Sequence, residues 1–127
     1  MPNAIFLTPD TPLVVCLCAG WCYVCEDFRP HFEQVQRSVQ ARHPQVRFLW
    51  VDVEDDADLL EPLEIENFPT VLLAVGNVPR FFAPIMPRPQ TLERLVYTVA
   101  LEAGTPALPD PQLQAAVVRI LNARLGP

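Results

Sequence analysis

Residues 13–30 read LVVCLCAGWCYVCEDFRP: a short apolar run, a Gly-Trp pair, and two cysteines separated by two residues. The apolar run predicts a strand that is buried on both faces. After Cys22, apolar side chains recur at intervals of three and four, which predicts a helix. The stretch therefore predicts a buried strand that delivers Cys22 and Cys25 to the first turn of the following helix.

The first turn of a helix suits a reactive cysteine. Its unpaired N–H groups and partial positive charge favour a thiolate over a thiol, and the thiolate is the species that attacks disulfides. Cys22 is therefore a candidate nucleophile. The i, i+3 spacing lets Cys25 reach the same sulfur, so Cys25 is a candidate for resolving a mixed disulfide on Cys22.

The composition favours one domain with a substantial core. The chain has 127 residues, of which half are apolar, and its net charge is −6. This charge argues against nucleic acid or an anionic membrane as a partner, since both select basic surfaces. The N-terminus has no basic region before an apolar run, and no segment is long enough to cross a bilayer. We therefore expect a cytoplasmic protein, whose four cysteines are catalytic, metal-bound or free rather than structural bridges.

Strand and helix patterns alternate along the rest of the chain. Strands are predicted at residues 4–7, 13–19, 46–53, 70–75 and 78–83, and helices at 22–43, 58–65, 91–103 and 112–125. Pro30 should kink the first helix, and Thr91 should cap the third. Gly76 and Asn77 indicate a two-residue hairpin, and Pro79 favours an edge position for the strand that follows.

The order of these elements predicts an α/β fold. Helical crossovers make the first strands parallel, so we expect a sheet of four or five strands with helices on both faces. Residues 1–104 form the expected domain. Residues 105–127 form a proline-marked linker and an appended amphipathic helix, which we expect to pack within its own chain.

Several landmarks along the chain carry a family resemblance. They are, in order, Trp21-Cys22-Tyr23-Val24-Cys25, Pro30, Val51-Asp52-Val53 and Phe68-Pro69-Thr70. In order and approximate spacing these landmarks resemble those of the thioredoxins, and the resemblance extends over residues 13–103. It implies a thioredoxin-like fold with a central mixed sheet and, here, an extra C-terminal helix.

The resemblance also implies a function and the residues that perform it. The expected activity is reduction of protein disulfides, with Cys22 and Cys25 as the catalytic pair. Trp21, Phe68 and Pro69 would hold an extended substrate segment, with Pro69 following a cis peptide bond. No bound cofactor or metal is implied, and recycling would need a thioredoxin reductase-like or glutathione-linked electron donor.

Three departures from the family pattern bear on the chemistry. Tyr23 and Val24 replace the usual Gly-Pro between the cysteines. Cys16 stands where thioredoxins carry a buried acid, and Trp50 stands where they carry its lysine partner, which suggests that apolar packing replaces an ion pair. Cys25 is then without its usual proton acceptor, and we expect water or Glu26 to take that role.

The sequence leaves alternatives for the other cysteines and for the function. Cys16 and Cys18 are two apart on a strand, so their side chains point to one face. They are expected to be buried free thiols; a second redox pair that exchanges electrons with Cys25 and a four-cysteine metal site are the alternatives. The alternative function is a thioredoxin-like binding module, in which the acidic segment 52–66 and the C-terminal helix dock a specific protein.

Overall fold

The computed structural model describes residues 8–102 and 104–125, whose strands form one mixed sheet. The elements are β1 (Pro12–Cys18), α1 (Tyr23–Arg42), β2 (Arg47–Asp52), α2 (Ala57–Leu60), β3 (Thr70–Val75), β4 (Val78–Pro84), α3 (Pro89–Leu95) and α4 (Pro111–Ile120). The strand order in this part of the chain is β2-β1-β3-β4. β1 is parallel to β2 and antiparallel to β3, and β3 is antiparallel to β4. The expected mixed sheet is confirmed; the strand predicted at residues 4–7 lies outside the described residues.

β1 is an inner strand of the sheet, and each of its side chains is buried. Alternate residues of β1 point to opposite faces of the sheet, as strand geometry requires. One face packs against α1 and α3 through a core of residues that includes Val14, Cys16, Cys18, Cys25, Phe28, Phe32, Leu92 and Val96. The other face packs against α2 and α4 through Leu13, Val15, Leu17, Leu60, Leu72, Leu113, Val117 and Ile120.

α1 buries one apolar stripe against the first of these faces. Its buried residues are Cys25, Phe28, Phe32, Val35 and Val39, at the predicted spacing of three and four. Pro30 lies within the helix, where it removes one backbone donor, and the helix continues to Arg42. The stripe places Cys25 against β1, in the first turn of the helix.

Two helices differ from their predicted bounds. α2 ends at Leu60 rather than at Ile65, because Glu61 precedes a proline and adopts an extended backbone. α3 begins at Pro89 rather than after a Thr91 cap, since proline at the first helical position loses no hydrogen bond. α3 then widens into a π-helical segment, Val96–Leu101, and the chain reaches Gly104 with φ +117°.

The β3–β4 hairpin is as predicted. Gly76 turns the chain with φ +62°, and a Cβ atom there would lie 2.6 Å from the Pro9 carbonyl oxygen. β4 is an edge strand of the described sheet and contains Pro79, next to an irregularity in the pairing with Leu73 and Ala74. Proline is tolerated there because an edge strand has one side without ladder hydrogen bonds.

α4 packs on the second face of the sheet in its own chain. Asp110 caps it by accepting hydrogen bonds from the backbone of Gln112 (3.0 Å) and Leu113 (3.1 Å). Arg119 donates from Nε to the Leu59 carbonyl oxygen (3.0 Å), which fastens α4 to α2. A π-helical segment, Leu121–Leu125, continues the helix. In the described part of the chain, no helix has the length and apolar character needed to cross a membrane.

Candidate redox site

Cys22 is the residue that precedes the first turn of α1. Its backbone is extended (φ −92°, ψ 118°), and its carbonyl oxygen accepts the Glu26 N–H at 3.0 Å. In the described structure its side chain makes no capping hydrogen bond, and its sulfur is a free, half-buried thiol. Cys22 therefore combines partial access from solvent with a position at the N-terminus of α1.

Cys25 forms a disulfide with Cys18, the last residue of β1. The two Cα atoms are 5.8 Å apart, within the usual range for a disulfide. Both residues are almost inaccessible, at 1% exposed for Cys18 and 2% for Cys25. The expectation that Cys18 would be a free thiol is wrong, because β1 and α1 pack face to face and set Cys18 opposite Cys25. The structure therefore bonds Cys25 to the strand and leaves Cys22 unbonded.

Cys16 is the other free cysteine of the described residues and is completely buried. Burial raises the pKa of its thiol to about 12, and the positive charge of Arg29 opposes this shift. Its sulfur lies 3.9 Å from the Cys18 sulfur. The prediction of a buried free thiol at Cys16 is confirmed, and burial keeps this thiol protonated near neutral pH.

Trp21 and Phe68 border the cysteines with aromatic surface. Their rings meet edge to face with centroids 5.7 Å apart, and Trp21 is 64% exposed. The Trp21 Nε1 donates to Glu54 Oε2 at 3.0 Å. The Phe68–Pro69 peptide bond is cis, as the resemblance implied. Trp21 is exposed, Phe68 is half-buried and Pro69 is buried. The role of these three residues in binding substrate stays a prediction.

The structure does not bring Glu26 to the Cys25 sulfur. Glu26 is exposed on α1 while Cys25 is buried, since consecutive helical residues point in different directions. Its role as a proton acceptor stays a prediction.

Trp50 packs as the expected apolar replacement. Its ring lies edge to face with Phe32 at 5.5 Å, and the Arg29 guanidinium lies 5.0 Å from the ring centroid. This position, where thioredoxins carry a lysine, is thus filled by an aromatic cluster.

A metal site at the four cysteines does not fit the structure. Two of them are bonded to each other, and the described residues include no group of three or more His, Cys, Asp or Glu placed to hold a metal ion. Structural zinc needs four converging ligands, which here would require the Cys18–Cys25 bond to be broken.

Sequence reasoning missed two parts of the site. The Cys18–Cys25 bond had a partial signal, because Cys16 and Cys18 share the face of β1 that α1 covers. No signal in the sequence indicated a role for Glu54, because its hydrogen bond with Trp21 joins residues 33 positions apart.

A protein-family model matches the part of the chain that contains the sheet and the cysteines. The family model described as Thioredoxin matches residues 3–87, which include the sheet, α1 and the cis-proline loop. The chain belongs to the thioredoxin family.

Individual relatives support the same assignment at moderate identity. The bovine mitochondrial thioredoxin is 38% identical over 63 residues, covering 50% of this chain and 36% of the relative. Protein disulfide isomerase-like 1-4 from Oryza sativa subsp. japonica is 28% identical over 75 residues, covering 59% and 13%.

A solved structure also resembles this chain. It is the oxidized form of mitochondrial thioredoxin 3 from Saccharomyces cerevisiae, which is 29% identical with a TM-score of 0.54 and covers 67% of this chain and 76% of that chain. The chain spans 36% of the length of the bovine relative and 13% of the length of the Oryza sativa relative.

Proposed function

We propose that this protein is a thiol–disulfide oxidoreductase that reduces disulfides in other proteins. The observation that carries the proposal is the free, half-buried Cys22 at the N-terminus of a 20-residue helix, with Cys25 in the first turn of that helix. A thiolate in this position attacks a disulfide, and a second cysteine three residues on is within reach of the mixed disulfide.

The proposed reaction has two exchange steps. The Cys22 thiolate attacks one sulfur of a substrate disulfide, forms a mixed disulfide and releases the first substrate thiolate. Cys25 then loses its proton and attacks the Cys22 sulfur as a thiolate, which leaves a Cys22–Cys25 disulfide. The second substrate thiolate is released and takes up a proton. This cycle begins from a chain in which the Cys18–Cys25 bond has been reduced.

The surroundings of Cys22 support a protein substrate. Trp21, Tyr23 and Val24 are exposed beside it, and Phe68 extends the aromatic surface toward the cis-proline loop. We propose that an extended substrate segment lies across Trp21, Phe68 and Pro69. A reductase or a glutathione-linked donor would restore the dithiol, and the cytoplasm is the proposed compartment.

The test is reduction of a protein disulfide substrate such as insulin with dithiothreitol as the electron donor. The wild type should accelerate the reaction, and Cys22→Ser should fall by about a hundredfold or more, to the rate of dithiothreitol alone. Cys16→Ala is the matched control, because it removes a cysteine that is buried away from substrate. Equal rates for wild type and Cys22→Ser would contradict the proposal.

A binding module is the second candidate function. The exposure of Asp55 and Asp58, and of Glu54 beside Trp21, favours it because exposed carboxylates attract a basic partner. A module of this kind would form a stable mixed disulfide through Cys22 but would not accelerate insulin reduction.

A further inference from the structure

We propose that Cys18 is a second resolving cysteine, which takes the disulfide from Cys22 and returns Cys22 to the free thiol. This inference rests on the proposed function, since it concerns the Cys22–Cys25 disulfide formed by that reaction. It adds one exchange step and a second oxidised state, in which the disulfide is buried and the nucleophile is regenerated.

The geometry places Cys25 between two partners. Cys22 lies three residues earlier on the same helix, and Cys18 lies opposite on β1 with its Cα 5.8 Å from that of Cys25. The structure holds the second of the two alternative bonds, Cys18–Cys25, together with a free Cys22 thiol. The Cys25 sulfur can therefore bond either to Cys18 on β1 or to Cys22 at the N-terminus of α1.

The added step is a thiol–disulfide exchange that balances without an external oxidant. The Cys18 thiolate attacks the Cys25 sulfur of the Cys22–Cys25 disulfide. The Cys18–Cys25 bond forms, the Cys22–Cys25 bond breaks, and Cys22 leaves as a thiolate. The proton lost by Cys18 is restored on Cys22 when that thiolate is protonated, and the number of disulfides in the chain stays at one.

Burial gives the two oxidised states different properties. The Cys18–Cys25 bond is almost inaccessible, whereas Cys22 is half-buried, so external reductants reach the buried bond through Cys22. In this state Cys25 is occupied and cannot resolve a mixed disulfide on Cys22. A further substrate captured by Cys22 is therefore held rather than released.

A single-turnover experiment on the full-length protein tests the step directly. The fully reduced protein is mixed with excess insulin, quenched with acid at successive times, and alkylated with N-ethylmaleimide. Chymotryptic cleavage after Leu17, Trp21, Tyr23 and Phe28 separates all four cysteines, so mass spectrometry assigns each disulfide. Trypsin is unsuitable, because Arg29 precedes Pro30 and residues 1–37 stay in one peptide.

In the wild type, we expect Cys22–Cys25 to appear first and Cys18–Cys25 to replace it, with Cys22 either alkylated or held in a mixed disulfide with insulin. Cys18→Ala should stop at Cys22–Cys25, and the matched control Cys16→Ala should behave as the wild type. A wild-type disulfide that stays at Cys22–Cys25 while insulin thiols appear would overturn this inference and leave the proposed function intact. If no insulin thiols appear, the proposed function fails, and this step fails with it.

A second measurement does not require the Cys18→Ala variant to fold. In Cys22→Ser, oxidised to the Cys18–Cys25 disulfide, reduction by dithiothreitol should be about tenfold slower than in the wild type, because the exchange route through Cys22 is absent. Equal reduction rates would show that external thiols reach the buried bond directly and would overturn the inference.

Discussion

At the scale of single residues, the four cysteines have three different environments. Cys22 lies at a helix end with partial access to solvent, whereas Cys18 and Cys25 are buried and bonded to each other. Cys16 is buried, free and held in its protonated form by desolvation. Reactivity of a cysteine follows the availability of its thiolate, so this arrangement directs attack on an external disulfide to Cys22.

The raised pKa of Cys16 predicts a loss of stability in alkaline solution. The ordinary pKa is 9.0, and burial raises the folded-state value to about 12. Above pH 9 the unfolded chain releases this proton while the folded chain keeps it, so the stability present below pH 9 is lost as the pH rises toward 12. At pH 10 the expected loss is about 1 kcal/mol.

Urea unfolding at several pH values between 8 and 10.5 measures this loss. Cys16→Ala should lose less stability over this interval than the wild type, whatever its stability at pH 8. Cys22→Ala is the control for a half-buried cysteine, and alkylation with mass analysis verifies that the Cys18–Cys25 disulfide stays intact. Parallel pH profiles for wild type and Cys16→Ala would contradict the prediction.

At the scale of elements, the loop after β2 supports the loop before α1. Asp52 accepts backbone hydrogen bonds from Glu54 (2.8 Å) and Asp55 (3.0 Å), which orders the turn that carries the Glu54 side chain. Glu54 in turn accepts the hydrogen bond from the Trp21 indole. The loop after a parallel strand thus holds the exposed aromatic ring next to the nucleophile.

Removing this support should weaken substrate binding without changing the nucleophile. Glu54→Ala should raise KM for insulin about threefold, because one exposed charge-assisted hydrogen bond contributes about 0.7 kcal/mol to the position of Trp21. The rate of Cys22 alkylation by iodoacetamide should stay unchanged. The matched control is Glu64→Ala, an exposed acidic residue in the same segment. An unchanged KM in Glu54→Ala would show that the Trp21 ring binds substrate without the hydrogen bond to Glu54.

The sequence predicts elements better than the contacts between them. β1 and α1 follow from apolar periods that lie within a single stretch, and both are confirmed. The early end of α2 also had a local cause, the proline after Glu61, which the prediction of a helix to residue 65 overlooked. The Cys18–Cys25 bond and the Trp21–Glu54 hydrogen bond depend on how separate elements pack. Periodicity indicates which face of an element is buried, but not which side chains of two elements meet.

At the scale of the whole molecule, the sheet is covered on both faces, and α4 is part of one cover. Arg119 donates to the Leu59 carbonyl oxygen, and Arg124 donates to the Trp50 carbonyl oxygen at 3.2 Å and lies 3.7 Å from the Asp56 carboxylate. Four residues of α4 are buried against the sheet or α2: Leu113, Ala116, Val117 and Ile120. α4 therefore covers part of the second face of the sheet. The division of the chain into residues 1–104 and 105–127 stays a prediction.

Two adjacent valines in α4 give a matched test of this role. Val117 is completely buried, whereas Val118 is 37% exposed. Val117→Ala should lower the free energy of unfolding by about 2 kcal/mol, from two lost methyl groups and the cavity they leave. Val118→Ala should change it by less than about 0.5 kcal/mol.

Denaturant unfolding of the two variants compares equal chemical changes one residue apart. Deletion of residues 105–127 should have a larger effect, because it exposes the apolar face formed by Leu13, Leu17 and Leu72, and it should lower both the Tm and the solubility. If Val117→Ala and Val118→Ala were equally stable and the deletion left the Tm unchanged, the sheet would not depend on α4. In that case the Cys18–Cys25 side of the sheet would carry the stability of the molecule without α4 on its other face.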